Sequence, residues 1–227
     1  MVDKKDQIIL GVKRVYLFGE NNRDHFQGFR PADEIDYEVR TLQNYEWKRR
    51  GDLEDDASMK HPIPYCVIVN PRLKMVFAYQ RAGGHTEGRL AGKYSWGIGG
   101  HVEKLDEKGV HNPIKMSMRR ELQEEADIEV NGKSKNVARV LGYINDDTPS
   151  QEPGKIAVGQ VHLGILYIIE TDAEIITPKD AEIANGRLMT IGELEAICAD
   201  PTMEVESWSQ IAFDPVKRFL ESYRKAA

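Results

Sequence analysis

The chain has 227 residues, of which 41% are hydrophobic and 30% are charged, a composition typical of a globular protein with one large domain, with or without an extension. Its net charge of −6 argues against a general nucleic-acid-binding protein, because nonspecific affinity for DNA or RNA needs a basic surface. The same charge is compatible with a small phosphorylated ligand that metal ions bridge to acidic residues.

Cysteine usage and the N-terminal sequence indicate a compartment. Cys66 and Cys198 lie far apart and form no CxxC motif, which is typical of a reducing environment. The sequence MVDKKDQIIL is too charged for a secretory signal, and no run of about 18 apolar residues occurs. We therefore expect a cytoplasmic protein with no membrane or nucleic-acid partner.

The first 60 residues give weak structural signals. Residues 8–18 are rich in Ile, Val and aromatic residues and predict one or two strands, with a bulge at Gly11. A short helix or strand is expected around residues 35–47. Four aromatic residues here could cap a ligand pocket or form a dimer contact, but core packing is the preferred interpretation for Phe26, Phe29, Tyr45 and Trp47.

The next stretch predicts a β-hairpin and a glycine turn. Residues 61–79 contain two apolar runs separated by Asn70-Pro71. A loop with three basic residues follows: Arg81, Arg89 and Lys93. Residues 94–98 predict a short strand that leads into Gly99-Gly100, where the backbone needs either a positive φ or a close approach to another group.

A helix is predicted from Pro113 to about Ala126, with Asn112 as its N-cap. An apolar stripe on this helix would pack on a sheet: Ile114, Met118 and Leu122. Further strands are expected at residues 138–144 and 158–169, the second as a central strand because it is long and apolar. Later helices are expected from about residue 191 and over residues 205–223.

The helix after Asn112 also carries three glutamates that share one face, because residues three and four apart lie together on a helix. These residues are Glu121, Glu124 and Glu125. Like charges at this spacing repel by a few tenths of a kcal/mol per pair. A hard divalent cation with oxygen ligands turns that repulsion into attraction, so one interpretation of the three glutamates is a metal site. The alternative interpretation is a solvated acidic face of the helix.

The segments GGHVE and RRELQEEADI together resemble the Nudix box, G-x5-E-x7-R-E-U-x-E-E-x-G-U, in which U is an aliphatic residue. Six positions of its second half match: Arg120, Glu121, Leu122, Glu124, Glu125 and Ile128. Within that family, the GIGGH sequence resembles a sub-group of predicted phosphoesterases. The resemblance implies an α/β fold, an α/β/α sandwich with a mixed β-sheet, over residues 61–227, and leaves residues 1–60 as an N-terminal extension of unknown role.

Two departures from the box stand out. Gly100 and Arg120 are 20 positions apart where the pattern has 14, so the loop between them has about six extra residues. The strict position of the first box glutamate is Asn112, and the acidic residues available in its place are Glu103, Asp106 and Glu107. Asp127 replaces the glycine after the helix, a change we expect to be tolerated because Asp adopts the left-handed conformation at modest cost.

The resemblance implies a metal-dependent hydrolase that cleaves a pyrophosphate bond in a nucleoside diphosphate linked to another group, or in a related phosphorylated metabolite. Mg²⁺ or Mn²⁺ would be held by Glu121, Glu124, Glu125 and the Gly100 carbonyl. Arg120 would orient a glutamate or form a plain i,i+4 pair with Glu124. A late catalytic glutamate would be Glu182, with three competitors: Asp146, Asp147 and Glu152.

Other roles stay open at this stage. Arg81, Arg89 and Lys93 are candidates for substrate phosphate contacts. His101, which follows the glycine pair, could reach the metal site, but a structural role is the preferred interpretation for both His101 and His162. A catalytically silent module that binds a nucleotide or ADP-ribose as a sensor is the main alternative function, and a non-hydrolytic enzyme such as an isomerase is a third. The family commonly forms homodimers, and residues 1–60 could supply the contact.

Overall fold

The computed structural model describes residues 3–82, 92–107, 111–128, 136–180 and 183–223. Its strands are β1 (Ile8–Lys13), β2 (Gly28–Pro31), β3 (Glu46–Arg49), β4 (Met59–Asn70), β5 (Met75–Arg81), β6 (Tyr94–Ser95), β7 (Ala126–Ile128), β8 (Val137–Asn145), β9 (His162–Glu170), β10 (Ile176–Pro178) and β11 (Ile183–Thr190). Its helices are α1 (Arg14–Phe18), α2 (Tyr37–Asn44), α3 (Arg50–Glu54), α4 (Pro113–Glu125), α5 (Val158–Val161), α6 (Ile191–Ala199) and α7 (Ser207–Ser222). The predicted α/β class is confirmed. Among the described helices, none has the length and apolar character needed to cross a membrane.

The chain forms two compact units. The first comprises residues 1–65, 99–119 and 141–166. In it, β1 pairs antiparallel with β3 and with the start of β4, where Val12 lies opposite Lys60. Strand β2 pairs antiparallel with the end of β8, from Gly28 opposite Asn145 to Pro31 opposite Gly142. Most of the first 60 residues therefore belong to paired strands and short helices.

The second unit comprises residues 66–98, 120–140 and 167–227. Strand β5 lies between β4 and β11, and β6 also pairs with β5. The hairpin between β4 and β5 is confirmed, with Val69 opposite Val76 and Asn70 opposite Met75. Asn70 Oδ1 accepts hydrogen bonds from the backbone N–H groups of Arg72 and Leu73, both at 3.1 Å, which fixes the turn.

Strand β9 lies between β4 and β8, so the prediction of a central strand is confirmed. Every residue of β4 is buried, and β9 is buried from His162 to Ile169. The predicted strand started too early, however, because residues 158–161 form the short helix α5. A long continuous apolar run can belong to either element, so the sequence alone did not mark this boundary.

The prediction for residues 8–18 was right for β1 and wrong for its continuation. Residues 14–18 form the helix α1, in which Leu17 and Phe18 are buried while Val15 and Tyr16 are exposed. That pattern does not alternate as a half-buried strand would. Gly11 forms no bulge, since its pairing with Glu46 continues the regular register of β1 and β3.

Gly99 lies close to another backbone group, which confirms one of the two alternatives predicted for it. Its φ is not positive. A Cβ added to Gly99 would overlap the carbonyl oxygen of Pro64. We expect Gly99→Ala to lower the free energy of unfolding by about 1–3 kcal/mol, because backbone must move to relieve the overlap. Gly192→Ala is the matched control, and urea denaturation measures both variants. A Cβ added to Gly192 meets nothing within 4 Å. Gly192 also lies in helix α6, where alanine is favoured over glycine. Equal unfolding free energies for the two variants would contradict the steric argument.

Candidate active site

Helix α4 begins as predicted. Asn112 Oδ1 accepts a hydrogen bond from Lys115 N at 2.9 Å and so caps the first turn. Ile114 and Met118 are buried, whereas Leu122 is half-buried. Glu121 is 8% exposed. The apolar stripe therefore ends one turn earlier than predicted, and a carboxylate continues its buried side.

A single guanidinium nitrogen joins two of the α4 carboxylates. Arg120 Nη1 lies 2.7 Å from Glu121 Oε1 and 3.3 Å from Glu124 Oε2. The Glu121 side chain is 11% exposed and that of Glu124 is 58% exposed. Arg120 thus forms the i,i+4 pair with Glu124 and also contacts Glu121, more closely. Its role in orienting a glutamate stays a prediction.

Glu121 and Glu125 lie near β4 and β5 of the second unit. Burial raises the pKa of the Cys66 thiol well above its usual value, and the charges of Glu121 and Glu125 add to that rise. Burial also raises the pKa of Tyr79, with a further contribution from Glu125. Glu121 is itself buried and Glu125 is half-buried, so these two of the three clustered carboxylates do not belong to a freely solvated face.

The end of α4 departs from the expectation for Asp127. Asp127 is in β7, opposite Thr177 of β10, and has an extended rather than a left-handed backbone. The loop after β10 satisfies the helix end, because Lys179 N donates to the Glu125 carbonyl at 2.9 Å and Lys179 Nζ donates to the Gln123 carbonyl at 3.0 Å. No glycine is needed where a strand follows directly.

Arg81 lies at the end of β5 and is held by a carboxylate that the sequence did not single out. Arg81 Nε donates to Glu206 Oε1 at 2.6 Å, and its guanidinium lies 5.7 Å from the centre of the Tyr79 ring. Burial acts to lower the pKa of Arg81, but Tyr79, Glu206 and Glu125 outweigh it and raise the pKa. The electrostatic effect of Glu125 on Arg81 connects this residue to the acidic end of α4.

Lys93 lies beside Arg81. Arg81 N donates to the Lys93 carbonyl at 2.9 Å, and Lys93 Nζ lies 3.3 Å from Glu204 Oε2. Glu204 and Glu206 flank Val205, which bridges to Tyr94. Two of the three basic candidates are thus brought together, each with a carboxylate partner from this segment. Arg89 and Glu182 lie outside the described residues.

In the first unit, the acidic residues of the lengthened loop have structural contacts. Asp106 Oδ2 accepts from Glu103 N at 2.8 Å within a 3₁₀ turn, and Glu103 itself bridges to Ile9 of β1. Glu107 Oε1 accepts from the Tyr45 hydroxyl at 3.0 Å and from Trp47 Nε1 at 3.1 Å. These contacts tie the loop that follows Gly100 to β1 and β3. These contacts do not test whether the Gly100 carbonyl is a metal ligand, which stays a prediction.

Asp147 is the centre of a partly buried ion-pair cluster in the first unit. Its carboxylate lies 2.6 Å from Arg14 Nη2, 2.8 Å from Lys60 Nζ and 2.6 Å from His25 Nε2. Burial acts to raise the pKa of Asp147, but the hydrogen bonds from Arg14, Lys60, Asn145 and His25 outweigh it and hold the pKa far below its usual value. These contacts give Asp147 a structural explanation.

The other two competitors for the late acidic role have local partners. Asp146 Oδ1 accepts from Gln27 Nε2 at 2.8 Å and from the Thr148 hydroxyl at 2.6 Å. Glu152 pairs with Lys155 on the surface. His101 and His162 contact each other and a third histidine, His61, which the sequence did not single out.

The comparisons with known proteins identify a family and two similar proteins. The family model described as the NUDIX domain matches residues 59–209. Protein YmaB of Bacillus subtilis (strain 168) is 35% identical over 216 residues, which cover 93% of this chain and 98% of that protein. The crystal structure of Tm1382, described as a candidate Nudix hydrolase, aligns with a TM-score of 0.71 and 26% identity over 94% of this chain and 100% of its own. Both likenesses extend over most of the first 60 residues.

Proposed function

This chain belongs to the Nudix family, and from that premise we propose that it is a metal-dependent hydrolase of phosphoanhydride bonds. Its substrate is a nucleoside diphosphate linked to another group, or a related phosphorylated metabolite. Water attacks one phosphorus atom, the bridging P–O bond breaks, and two phosphorylated products leave. The observation that carries the proposal is the convergence of Glu121 and Glu124 on one nitrogen of Arg120.

The donor set of α4 fits a hard divalent cation. Carboxylate oxygens are the ligands that Mg²⁺ and Mn²⁺ prefer, and two of them already meet at one positive charge at 2.7 and 3.3 Å. Glu121, Glu124 and Glu125 would hold the ion, which when bound neutralises phosphate charge and makes a water molecule more acidic. Arg120 orients the carboxylates. The Gly100 carbonyl and Glu182 are the further contributors that we propose.

Arg81 is the proposed substrate-phosphate contact within the second unit, with Lys93 beside it. Arg89, which lies outside the described residues, is proposed for the same role. Glu206 holds the Arg81 guanidinium in place through its 2.6 Å contact. Fixed guanidinium groups are well suited to phosphate because they present several donors in one plane. Phosphate bound here would lie near the acidic end of α4, given the effect of Glu125 on Arg81.

We expect Arg81→Lys to raise KM by about tenfold, because one charge-assisted hydrogen bond is worth about 1.5–3 kcal/mol, with a smaller change in kcat. Arg139→Lys is the matched control, since Arg139 pairs with Glu170 and its side chain is 55% exposed. Steady-state kinetics with Mg²⁺ measure both variants. A KM for Arg81→Lys equal to that of the control would remove Arg81 from substrate binding.

We also propose that residues 61–227 hold the catalytic machinery and that residues 1–60 form an extension. The family match begins at residue 59, which supports this boundary. The extension contributes β1, which pairs with the start of β4. The extension also contains Trp47 of β3, and the Trp47 indole N–H donates a hydrogen bond to Glu107 of the lengthened loop.

A substrate panel tests the proposed function. Dinucleotides, sugar nucleotides, ADP-ribose and nucleoside triphosphates are each incubated with the full chain and Mg²⁺ or Mn²⁺, and the products are identified by ³¹P NMR. We expect metal-dependent release of two phosphorylated products from at least one compound. Tight binding of a panel member without any turnover would contradict the proposal and favour a nucleotide-binding sensor.

A further inference from the structure

Three histidines of the first unit direct ring nitrogens at one another. His61 Nδ1 lies 3.3 Å from His101 Nε2, and His162 Nε2 lies 3.1 Å from the same atom. One nitrogen from each ring belongs to a set whose members are all within 4.8 Å of each other. His61 is fully buried and His162 is 8% exposed. The described chain thus holds a compact set of three imidazole nitrogens that the hydrolytic proposal does not use.

The spacing of these nitrogens matches that of metal ligands. A tetrahedral ion with metal–nitrogen bonds of about 2.0–2.1 Å requires ligand nitrogens about 3.3–3.4 Å apart. Two of the three separations are already 3.3 and 3.1 Å. All three ligand atoms lie within 4.8 Å of one another. A set of three histidines leaves a fourth position for water or an anion.

The backbone holds the cluster in place. His61 lies in β4 and His162 begins β9, the two strands with the most extensive burial. The His101 carbonyl accepts from the Ser117 hydroxyl at 3.3 Å, and the His162 carbonyl accepts from Lys60 Nζ at 3.0 Å. Ligands on such elements are positioned more accurately than ligands on loops.

The tautomer of His162 suits coordination. Its Nδ1 lies 2.6 Å from the Val158 carbonyl oxygen, which can only accept, so Nδ1 carries the proton. The lone pair of Nε2 therefore faces His101. A carbonyl that binds the outer ring nitrogen is the usual support of a metal-ligating histidine, because it fixes both the tautomer and the ring orientation.

Two cations near the cluster would oppose a metal ion if they were unpaired. Lys60 Nζ lies 2.8 Å from Asp147 Oδ1, and Arg50 Nε lies 2.7 Å from Glu54 Oε1. Each of these cations therefore has a carboxylate partner within the first unit, although Lys60 shares Asp147 with Arg14 and His25.

We propose that His61, His101 and His162 bind a first-row transition-metal ion, of which Zn²⁺ is the best match. Imidazole nitrogen favours Zn²⁺, Cu²⁺ and Ni²⁺, whereas Mg²⁺ prefers the oxygen donors found on α4. The site therefore selects a different ion from the one proposed for the three glutamates. The inference does not depend on the proposed hydrolytic activity.

Cobalt provides a spectroscopic test in the full-length protein. Tetrahedral Co²⁺ absorbs visible light far more strongly than octahedral Co²⁺, so a titration reports the histidine site. The Glu121→Gln, Glu124→Gln double variant serves as background, because it removes carboxylates that would bind Co²⁺ separately. We expect one Co²⁺ per chain with strong absorption, and displacement of that Co²⁺ by Zn²⁺.

The histidine variants identify the ligands. In the same background, His101→Gln and His162→Gln should each weaken Co²⁺ binding by at least about 100-fold. Loss of only the hydrogen-bond partner of a ligating histidine already lowers metal affinity by about 10–100-fold. His111→Gln is the control, because His111 is exposed and outside the cluster. Binding that survives both cluster variants would overturn the proposal.

X-ray absorption on zinc-loaded protein with all three cluster histidines intact gives a second readout that does not require a variant to fold. Nitrogen scatterers at about 2.0 Å, with the outer-shell pattern of imidazole rings, support the site. A shell without imidazole scattering, or the absence of stoichiometric Zn²⁺, would overturn it. Loss of hydrolytic activity plays no part in either outcome.

Discussion

Glu124→Gln should lower metal-dependent kcat/KM by about 10²–10³-fold, because the loss of a carboxylate ligand weakens the charge stabilisation that a metal ion provides, worth several kcal/mol. The fold should be retained. The Glu124 side chain is 58% exposed, and its 3.3 Å contact with Arg120 Nη1 is longer than the 2.7 Å contact of that atom with Glu121. Steady-state kinetics over a range of Mg²⁺ and Mn²⁺ concentrations measure the effect.

Glu195→Gln is the matched control for this substitution. Glu195 is also a glutamate on a helix of the second unit, and its partially exposed side chain pairs with Lys217 at 2.6 Å. Removal of its charge should leave kcat/KM and its metal dependence unchanged. If Glu124→Gln behaved like this control, the α4 carboxylates would have no part in the reaction.

Asp147→Asn should have the largest effect on stability, with a loss of about 3–5 kcal/mol in the free energy of unfolding, because it leaves the buried Lys60 ammonium without its carboxylate partner. The Lys60 side chain is 0% exposed and lies 2.8 Å from Asp147. Burial already lowers the pKa of Lys60 to about 8, even with the carboxylate beside it. Arg14 loses its carboxylate partner as well. Urea denaturation at pH 7 measures the difference.

The pH dependence of the unfolding free energy distinguishes the contribution of the Asp147 ion pairs from that of packing. The native pKa of Asp147 is far below its usual value of about 3.9, so the unfolded state binds more protons as the pH falls through that value. The wild type should therefore lose this part of its stability below about pH 4, and Asp147→Asn should not. Asp146→Asn is the control, since Asp146 contacts Gln27 and Thr148 at the exposed surface. Similar unfolding free energies for the two variants at pH 7 would contradict the ion-pair account.

Local patterns explain what the sequence predicted well. The cap at Asn112, the proline after it and the spacing of Ile114 and Met118 are signals within one turn or two, and they located α4 to within a residue of its end. The hairpin at Asn70 followed from the same kind of signal, because the Asn side chain makes the turn by itself. The grouping of Glu121, Glu124 and Glu125 needed only the helical period.

The parts that were missed depend on residues far apart in the chain. Arg14 and Asp147 are 133 positions apart, and Arg81 and Glu206 are 125 apart, so no local spacing connects them. His61 carried no motif, and its relation to His101 and His162 arises only when β4, β9 and the glycine turn meet. The sequence predicts strands where the short helices α1 and α5 form, because an element of four or five residues is too short to show a helical or a strand period.

The lengthened loop is where the chain departs most from the box pattern. That pattern assigns each residue by its spacing from the others, and the insertion before Asn112 changes the spacing, so it no longer gives the position of the first glutamate. In the structure, Asp106 and Glu107 make contacts that hold the loop, through Glu103 N and through Tyr45 and Trp47. The residue that completes the metal site therefore has to be found by locating the ion itself.

The central claim is that the carboxylates of α4 hold the catalytic metal, and a crystal of the full chain grown with Mn²⁺ tests it most directly. Anomalous scattering locates Mn²⁺ independently of any assumption about ligands. We predict a peak within about 2.0–2.4 Å of oxygens from at least two of Glu121, Glu124 and Glu125, the range for hard divalent cations. A map in which Mn²⁺ is bound elsewhere in the protein and absent from these three side chains would contradict the account.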